Sequence, residues 1–250
     1  MDPSLVEQYD RDGFVLFREF LHLDELDEFI VNIDRFIRDD LPGLPDSQAK
    51  YHDKTRPETL YDLRPKGNSA FESYSRHPRL IEVAEILLRE PAESNFPVWM
   101  NKPPGIDYPT PPHQDCYYEW LVPPNALAMW LALDDADEEN GCIRYIPGSH
   151  KSSVRPHGDT DVVCYTQAIT DYGPRDMANE VAVCVQPGDL IVHHCRVIHR
   201  ADVNRSPTRS RRAVTQFFRG VSAQRDLAAR DRPSSQPPLG LSAADRPHLD

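Results

Sequence analysis

No stretch of the chain approaches the ~20 consecutive apolar residues that cross a bilayer, so no transmembrane helix is expected. A disulfide scaffold is not expected either. The five cysteines, Cys116, Cys142, Cys164, Cys184 and Cys195, are odd in number, widely spaced and free of any C-x-x-C pair, which suits a reducing compartment. Positive charge is scarce: 28 Lys+Arg stand against 40 Asp+Glu, a net charge of −12. That balance counts against nucleic acid or an anionic membrane as the main partner, since both attract basic surfaces. The opening residues, MDPSLVEQYDRDG, lack the apolar core of a secretory signal, so a cytoplasmic protein is expected. No internal repeat is visible. What is present is an acidic chain of 250 residues, a length that one β sandwich or barrel can fill and that buries a core without cross-links. Its 24 prolines suit a loop-rich β protein better than a helical bundle.

The order of local patterns sets the fold class. Residues 3–10 read as a short helix ended by the Asp12-Gly13 turn, and FVLFREF (14–20) reads as a strand. In 23–41, Leu26, Phe29, Ile30, Ile33, Phe36 and Ile37 recur at three and four, which predicts an amphipathic helix. Residues 42–70 are polar and Pro-rich and are expected to be loop, and 77–90 predict a second amphipathic helix stopped by Pro91. Beyond residue 94 short apolar runs alternate with turn signals: 96–101, 127–133, 142–146, 180–185, 189–194 and 213–218. Asn140-Gly141 and Pro187-Gly188 are turn pairs. Such spacing predicts about eight antiparallel strands in a sandwich. The expected class is α+β: a double-stranded β-helix, or jelly roll of the cupin kind, with N-terminal helices packed outside one sheet. Residues 1–220 form one domain in this reading, helical over 1–92 and β over 93–220, and 221–250 form a loose tail.

One constellation carries chemistry. In PPHQDCYYEW, His113 and Asp115 are separated by one residue, a spacing that in a strand or at its end turns both side chains to one side. Two histidines and a carboxylate on one face of a metal leave open positions, as in non-haem iron(II) oxygenases. The third ligand would come from VHHCRVIHR, where His193, His194 and His199 all compete; in a strand the first two face opposite ways. Arg205, Arg209, Arg211 and Arg212 follow. A carboxylate-bearing co-substrate needs a cation near the metal, and the planar fork of Arg binds one through two bonds. Arg211 and Arg212 begin the strand AVTQFF, so one of them should face inward.

HQD, PGSH, PGDLIVHHCRVIHRADVNRS and RRAV, occurring in that order after YDRDGFVLFREFL, resemble the phytanoyl-CoA dioxygenase family of Fe(II)/2-oxoglutarate-dependent oxygenases across roughly residues 8–220. The resemblance implies that His113, Asp115 and His199 hold the iron. His199 is the choice because the family's second metal His lies five residues before the Asn of an N-x-S/T pattern, here Asn204-Arg205-Ser206. It implies that Arg211 binds the distal carboxylate of 2-oxoglutarate, with Arg212 and Arg209 open as substitutes because the preceding loop is one residue longer than usual. Ala201 stands where the family often has a co-substrate-binding Ser. Asn101 matches a co-substrate position in related enzymes, with the adjacent Lys102 as its competitor, and Trp130 an aromatic beside the co-substrate. Tyr117, Tyr118 and Trp120 would line the substrate entrance, whereas His150 and His157 match loop residues without a ligand role.

The implied reaction is hydroxylation of a small-molecule substrate by dioxygen with release of succinate and CO2. Related halogenases lack the carboxylate that Asp115 supplies, so its presence favours hydroxylation or another oxidation. The alternatives are a non-oxygenase metalloenzyme or a metal-binding protein on the same cupin-like fold.

Overall fold

The computed structural model describes residues 1–162 and 167–226. Its core is two facing antiparallel sheets. The larger has the order β1 (Phe14–Phe17), β13 (Leu190–His194), β8 (Ala126–Ala132), β15 (Arg211–Gly220), β5 (Val98–Lys102), β3 (Leu60–Leu63) and β2 (Ala49–Tyr51), with β4 (Ala92–Ser94) also paired to β15. The smaller runs β12 (Val181–Val183), β9 (Ile143–Tyr145), β14 (His199–Ala201) and β6 (Thr110–His113). Two short ribbons complete it: β10 (His157–Asp159) with β11 (Gln167–Ile169), and β7 (Leu121–Val122) with β16 (Gln224–Arg225). This is the double-stranded β-helix expected from the strand spacing, with helices outside one sheet.

Alternation along the strands divides the interior in two. In β8 and β13, Leu127, Met129, Leu131, Leu190 and Val192 face the helices and share a core with Leu26, Phe29 and Ile33 of α2 (Leu23–Arg35), Phe71 and Tyr74 of α3 (Ser69–Ser75) and Leu80, Ala84 and Leu87 of α4 (Pro78–Leu88). Trp130, Ala132, Ile191 and Ala213 face the other way and pack between the sheets on Ile143, Tyr145 and Val183. The same period sends His193 into the inter-sheet layer and His194 to the opposite face. The helices begin and end as their residues dictate. Asp2 accepts from the Ser4 amide at the start of α1 (Pro3–Asp12), and Gly13 closes that helix at φ +83°. Gly13 is required for a second reason: a Cβ there would lie 2.4 Å from the His150 ring.

Three expectations are corrected. Residues 42–70 are not only loop: β2 and β3 lie there and extend the large sheet beyond β5. Each has three or four residues, too few for alternation to show in the sequence, and they pair because β5 offers an open edge. The strand expected over 14–20 stops at Phe17, because the Glu19 amide turns aside to bond the Asp189 carboxylate at 2.9 Å. The tail does not start at 221, since Gln224 and Arg225 pair with Val122 and Leu121; residues 227–250 lie outside the described residues. A further departure is the Cys116–Cys195 disulfide, with Cα atoms 5.0 Å apart, formed where the Cys116 amide bonds the Cys195 carbonyl. Cys142 and Cys184 are free thiols, and Cys164 lies outside the described residues. No helix among the described residues is long and apolar enough to cross a membrane.

Candidate metal centre

The site is assembled at the end of β6, on β14 and on β9, where His199 is the register partner of both His113 and Tyr145. Strand alternation, expected to bring His113 and Asp115 to one side, is not what joins them here. The structure does it by a turn: His113 ends β6, and Asp115 already has helical backbone at the cap of α5 (Cys116–Glu119). Gln114 between them is fully buried, donating to the Arg196 carbonyl at 2.7 Å and accepting from the Arg155 amide at 2.8 Å. Both ends of its amide are satisfied, so the turn has one position available to it.

His113, Asp115 and His199 each offer a ligand atom within 4.8 Å of the other two. The Nε2 atoms of His113 and His199 lie 3.6 and 3.8 Å from Asp115 Oδ1. Each ring's other nitrogen faces a backbone carbonyl, Pro111 O at 2.8 Å from His113 Nδ1 and Val197 O at 3.1 Å from His199 Nδ1. A carbonyl only accepts, so Nδ1 carries the proton and Nε2 presents its lone pair to the centre, the tautomer a metal ligand needs. Burial holds both imidazoles below their ordinary pKa, hence neutral. Burial acts to raise Asp115, but its place among the His199, His193 and His113 rings, with the hydrogen bond from His193, outweighs burial and keeps it an anion. Two neutral Nε2 donors and one carboxylate form the donor set suited to a divalent first-row metal such as Fe(II).

The competing histidines are separated by this geometry. His193 is buried beside the triad with its Nε2 3.1 Å from Asp115 Oδ2, while His194, on the far face of β13, packs against His150. The arginines separate as well. Arg212 is tied to Asp134 (2.8 Å) and Asp34 (3.3 Å), and Arg209 to Asp137 and Glu139 at the surface. Arg211 is buried with its guanidinium 5.2 Å from the ring of Trp130. Its register partner on β5 is Lys102, whereas Asn101 is the partner of Arg212. Partners in a ladder share a face, so Lys102, not Asn101, stands on Arg211's side; Asn101 donates instead to the Leu60 carbonyl at 3.3 Å. Arg211, Lys102, Met100, Thr110 and Tyr108 line a cleft of about 240 Å³ that Asn101 also borders.

Asn204 explains why an Asn is needed in this loop. Its amide donates to Lys102 O (2.8 Å, buried) and Arg209 O (2.6 Å, part-buried), and its carbonyl accepts from the Ser206 amide (2.9 Å, buried). One side chain therefore ties the loop before Arg211 to the strand that carries Lys102. Asn204→Ala is expected to lower stability by about 1–3 kcal/mol, because two carbonyls lose their donor; the urea midpoint checks it.

The aromatic cluster stands beside His113. Tyr118 lies 6.2 Å from the His113 ring and donates to Gln167 O at 2.7 Å. Tyr117 stacks on His157 at 4.0 Å and meets Trp120 at 5.6 Å. No local pattern signals that His157 takes part in this corner, nor that Tyr145 reaches His193 (2.9 Å). Burial lowers His157 to about 4 and His194 to about 3. Both sit below the unfolded value of 6.5, so between pH 6.5 and about 4 the unfolded chain takes up protons that the native state refuses. Stability of the metal-free protein is expected to fall as pH drops through that window. Urea midpoints at pH 7 and 4.5 check it, and His157→Gln should lessen the decline.

Comparison with known proteins places this geometry. The phytanoyl-CoA dioxygenase (PhyH) family profile matches residues 9–213. Phytanoyl-CoA dioxygenase 1 of rice is 36% identical over 118 residues, spanning 47% of this chain and 41% of its own length. The peroxisomal mouse phytanoyl-CoA dioxygenase is 24% identical over 232 residues, 86% of this chain and 68% of its own. Among solved structures, the non-heme alpha ketoglutarate dependent carbocyclase SnoK shares the fold with a TM-score of 0.73 at 22% identity, covering 98% of this chain and 90% of its own. The epimerase SnoN, in complex with Fe3+, alpha ketoglutarate and nogalamycin RO, gives 0.71 at 23%, covering 94% and 87%. EctD from S. alaskensis, with 2-oxoglutarate and 5-hydroxyectoine, gives 0.72 at 19%, covering 89% and 77%. With a profile match over most of its length, the chain belongs to the phytanoyl-CoA dioxygenase family.

Proposed function

We propose that the protein is a non-haem Fe(II)/2-oxoglutarate-dependent dioxygenase that hydroxylates a small molecule. The carrying observation is the convergence of His113 Nε2, His199 Nε2 and Asp115 Oδ1 at one buried point. The balanced reaction takes substrate, 2-oxoglutarate and O2 to hydroxylated substrate, succinate and CO2, one oxygen atom going to each organic product. Iron bound at the triad would supply the redox chemistry that activates dioxygen.

The chain's own residues bind, orient and exclude. His113, Asp115 and His199 would hold iron on one face and leave the opposite face for co-substrate and dioxygen. Arg211 would pair with the distal carboxylate of 2-oxoglutarate through its fork, with the Trp130 ring 5.2 Å from the guanidinium and Lys102 adding a second cation on the same face. Ala201 offers no hydroxyl where the family often has a Ser, and Lys102, whose ammonium donates to the Tyr108 carbonyl at 2.9 Å, would be the second polar group on that side. Tyr117, Tyr118 and Trp120 would border the substrate entrance. The protein is proposed to be cytoplasmic and to act without nucleic acid or membrane partners, as its acidic charge balance favours.

Incubating the purified protein with Fe(II), ascorbate and 2-oxoglutarate in air, and measuring succinate, tests the reading. Slow substrate-independent succinate release is expected, quenched by a chelator. No succinate and no 2-oxoglutarate binding with Fe(II) loaded would leave a non-oxygenase metal protein on this fold as the surviving alternative. An epimerase and a carbocyclase share the fold, so a product carrying no added oxygen would refute hydroxylation while retaining the dioxygenase.

A further inference from the structure

Asp115 has two carboxylate oxygens, and they have different surroundings. Oδ1 faces the Nε2 atoms of His113 and His199. Oδ2 faces His193 Nε2 at 3.1 Å. The other nitrogen of His193 is 2.9 Å from the hydroxyl of Tyr145, a wholly buried side chain on the smaller sheet that also stacks on Phe14 at 4.4 Å. His193 itself is 3% exposed and comes from the large sheet. The chain Tyr145–His193–Asp115 therefore crosses between the sheets at the metal centre.

The direction of this chain follows from its ends. An ionised carboxylate only accepts, so His193 Nε2 must carry a proton toward Oδ2. In the tautomer that carries its proton on Nε2 alone, His193 accepts at Nδ1, and the Tyr145 hydroxyl donates to it. Tyr145 thus selects the tautomer of His193 that can hold Asp115. With Oδ2 engaged as an acceptor, a metal can take Asp115 through Oδ1 alone. A carboxylate that bound through both oxygens would occupy an additional coordination position, one that co-substrate or dioxygen needs.

We propose that His193, with its tautomer set by Tyr145, is a positioning residue that holds Asp115 as a one-oxygen metal ligand. The inference rests on the metal-binding part of the reading above. It goes beyond that reading because His193 enters it neither as a metal ligand nor as a co-substrate contact. A buried imidazole whose two nitrogens are both engaged, one on a ligand and one on a tyrosine, is the pattern by which proteins orient metal ligands from behind.

The test uses Co(II), which fills Fe(II) sites and reports its coordination in its visible spectrum. The full chain and the variants His193→Phe, His193→Gln, Tyr145→Phe and His199→Ala are titrated with Co(II), and the metal-free thermal midpoints are recorded alongside. Expected results are a 10- to 100-fold weaker Co(II) affinity in His193→Phe, of the size that orienting partners contribute, with a changed absorption band. His193→Gln, which restores a donor, should recover part of the affinity. Tyr145→Phe should fall between Gln and wild type, and it keeps the inference testable if His193→Phe does not fold. Pulsed EPR of the Cu(II)-loaded protein counts bound imidazoles, and two are expected.

Three bound imidazoles in wild type, reduced to two in His193→Phe, would make His193 a ligand and overturn the proposal. So would wild-type affinity and spectrum in both His193→Phe and Tyr145→Phe. Failure of the underlying reading looks different: there wild type would bind no Co(II), or His199→Ala would bind as tightly as wild type, and the proposal would fall with it.

Discussion

His199→Ala is expected to yield a folded protein that neither gains stability from Fe(II) nor releases succinate from 2-oxoglutarate. His199 supplies one of three donor atoms, and it cannot be replaced from the same strand because Arg200 faces the other way into Glu180 and Asp202. Loss of a group that only orients a ligand weakens metal binding about 10- to 100-fold, so loss of the ligand itself should exceed about 100-fold. Wild type at Fe(II) 100 times its dissociation constant is stabilised by about 2.7 kcal/mol, which the variant should lose. The metal-free midpoint should change far less, because the imidazole removed is a desolvated polar group that folding buried at a cost. Differential scanning calorimetry with and without Fe(II), beside a succinate assay, separates the two effects. A variant that kept the Fe(II)-dependent shift would remove His199 from the ligand set and return His193 to it.

The second large effect is expected at Arg211. Arg211→Met should raise the 2-oxoglutarate concentration for half-maximal succinate release by about 30- to 5,000-fold, the range from removing one partner of a buried charged pair, about 2–5 kcal/mol. The maximal rate at saturating 2-oxoglutarate should fall much less, since the guanidinium binds the end of the co-substrate away from the reaction. Arg211→Lys should recover little, because an ammonium cannot reproduce the two-bond fork and would change the cation's approach to the Trp130 ring, 5.2 Å from the guanidinium. Arg212→Met and Arg209→Met serve as controls: their partners are Asp134 and Asp34, and Asp137 and Glu139, all away from the cleft lining. A 2-oxoglutarate dependence that moved with Arg212 rather than Arg211 would place the co-substrate on the other face of β15.

Much of this was legible because the relevant signals are local. The 3.6-residue period of Leu26, Phe29 and Ile33 predicts a helix wherever the chain is placed, and those residues are its buried face. The alternation in 189–194 sends His193 and His194 to opposite faces, and the structure keeps that separation. Resemblance across ordered motifs narrowed three histidines to His199 and favoured Arg211 with Arg212 and Arg209 open as substitutes, and the geometry brings His199 to the triad and buries Arg211 beside Trp130. The choice between Asn101 and Lys102 is one that local signals leave open. Adjacent strand residues differ in face, and only the ladder with β15 shows which of the two shares a side with Arg211.

Composition and short-range period account for the order of the main helices and strands outside residues 42–70, the acidic character of the chain, and the residue types able to hold a metal. Each is a property of composition or of short-range period, independent of what the segment packs against. Tertiary structure alone decided that Asp115 reaches the triad through a turn pinned by Gln114, that β2 and β3 extend the large sheet, and that Lys102 stands beside Arg211. It alone also decided that His193 lies behind Asp115 with Tyr145 behind it. Tyr145 and His193 are 48 residues apart in the chain. Their hydrogen bond exists because two sheets close on each other, and no periodicity within either strand encodes the partner on the opposite one.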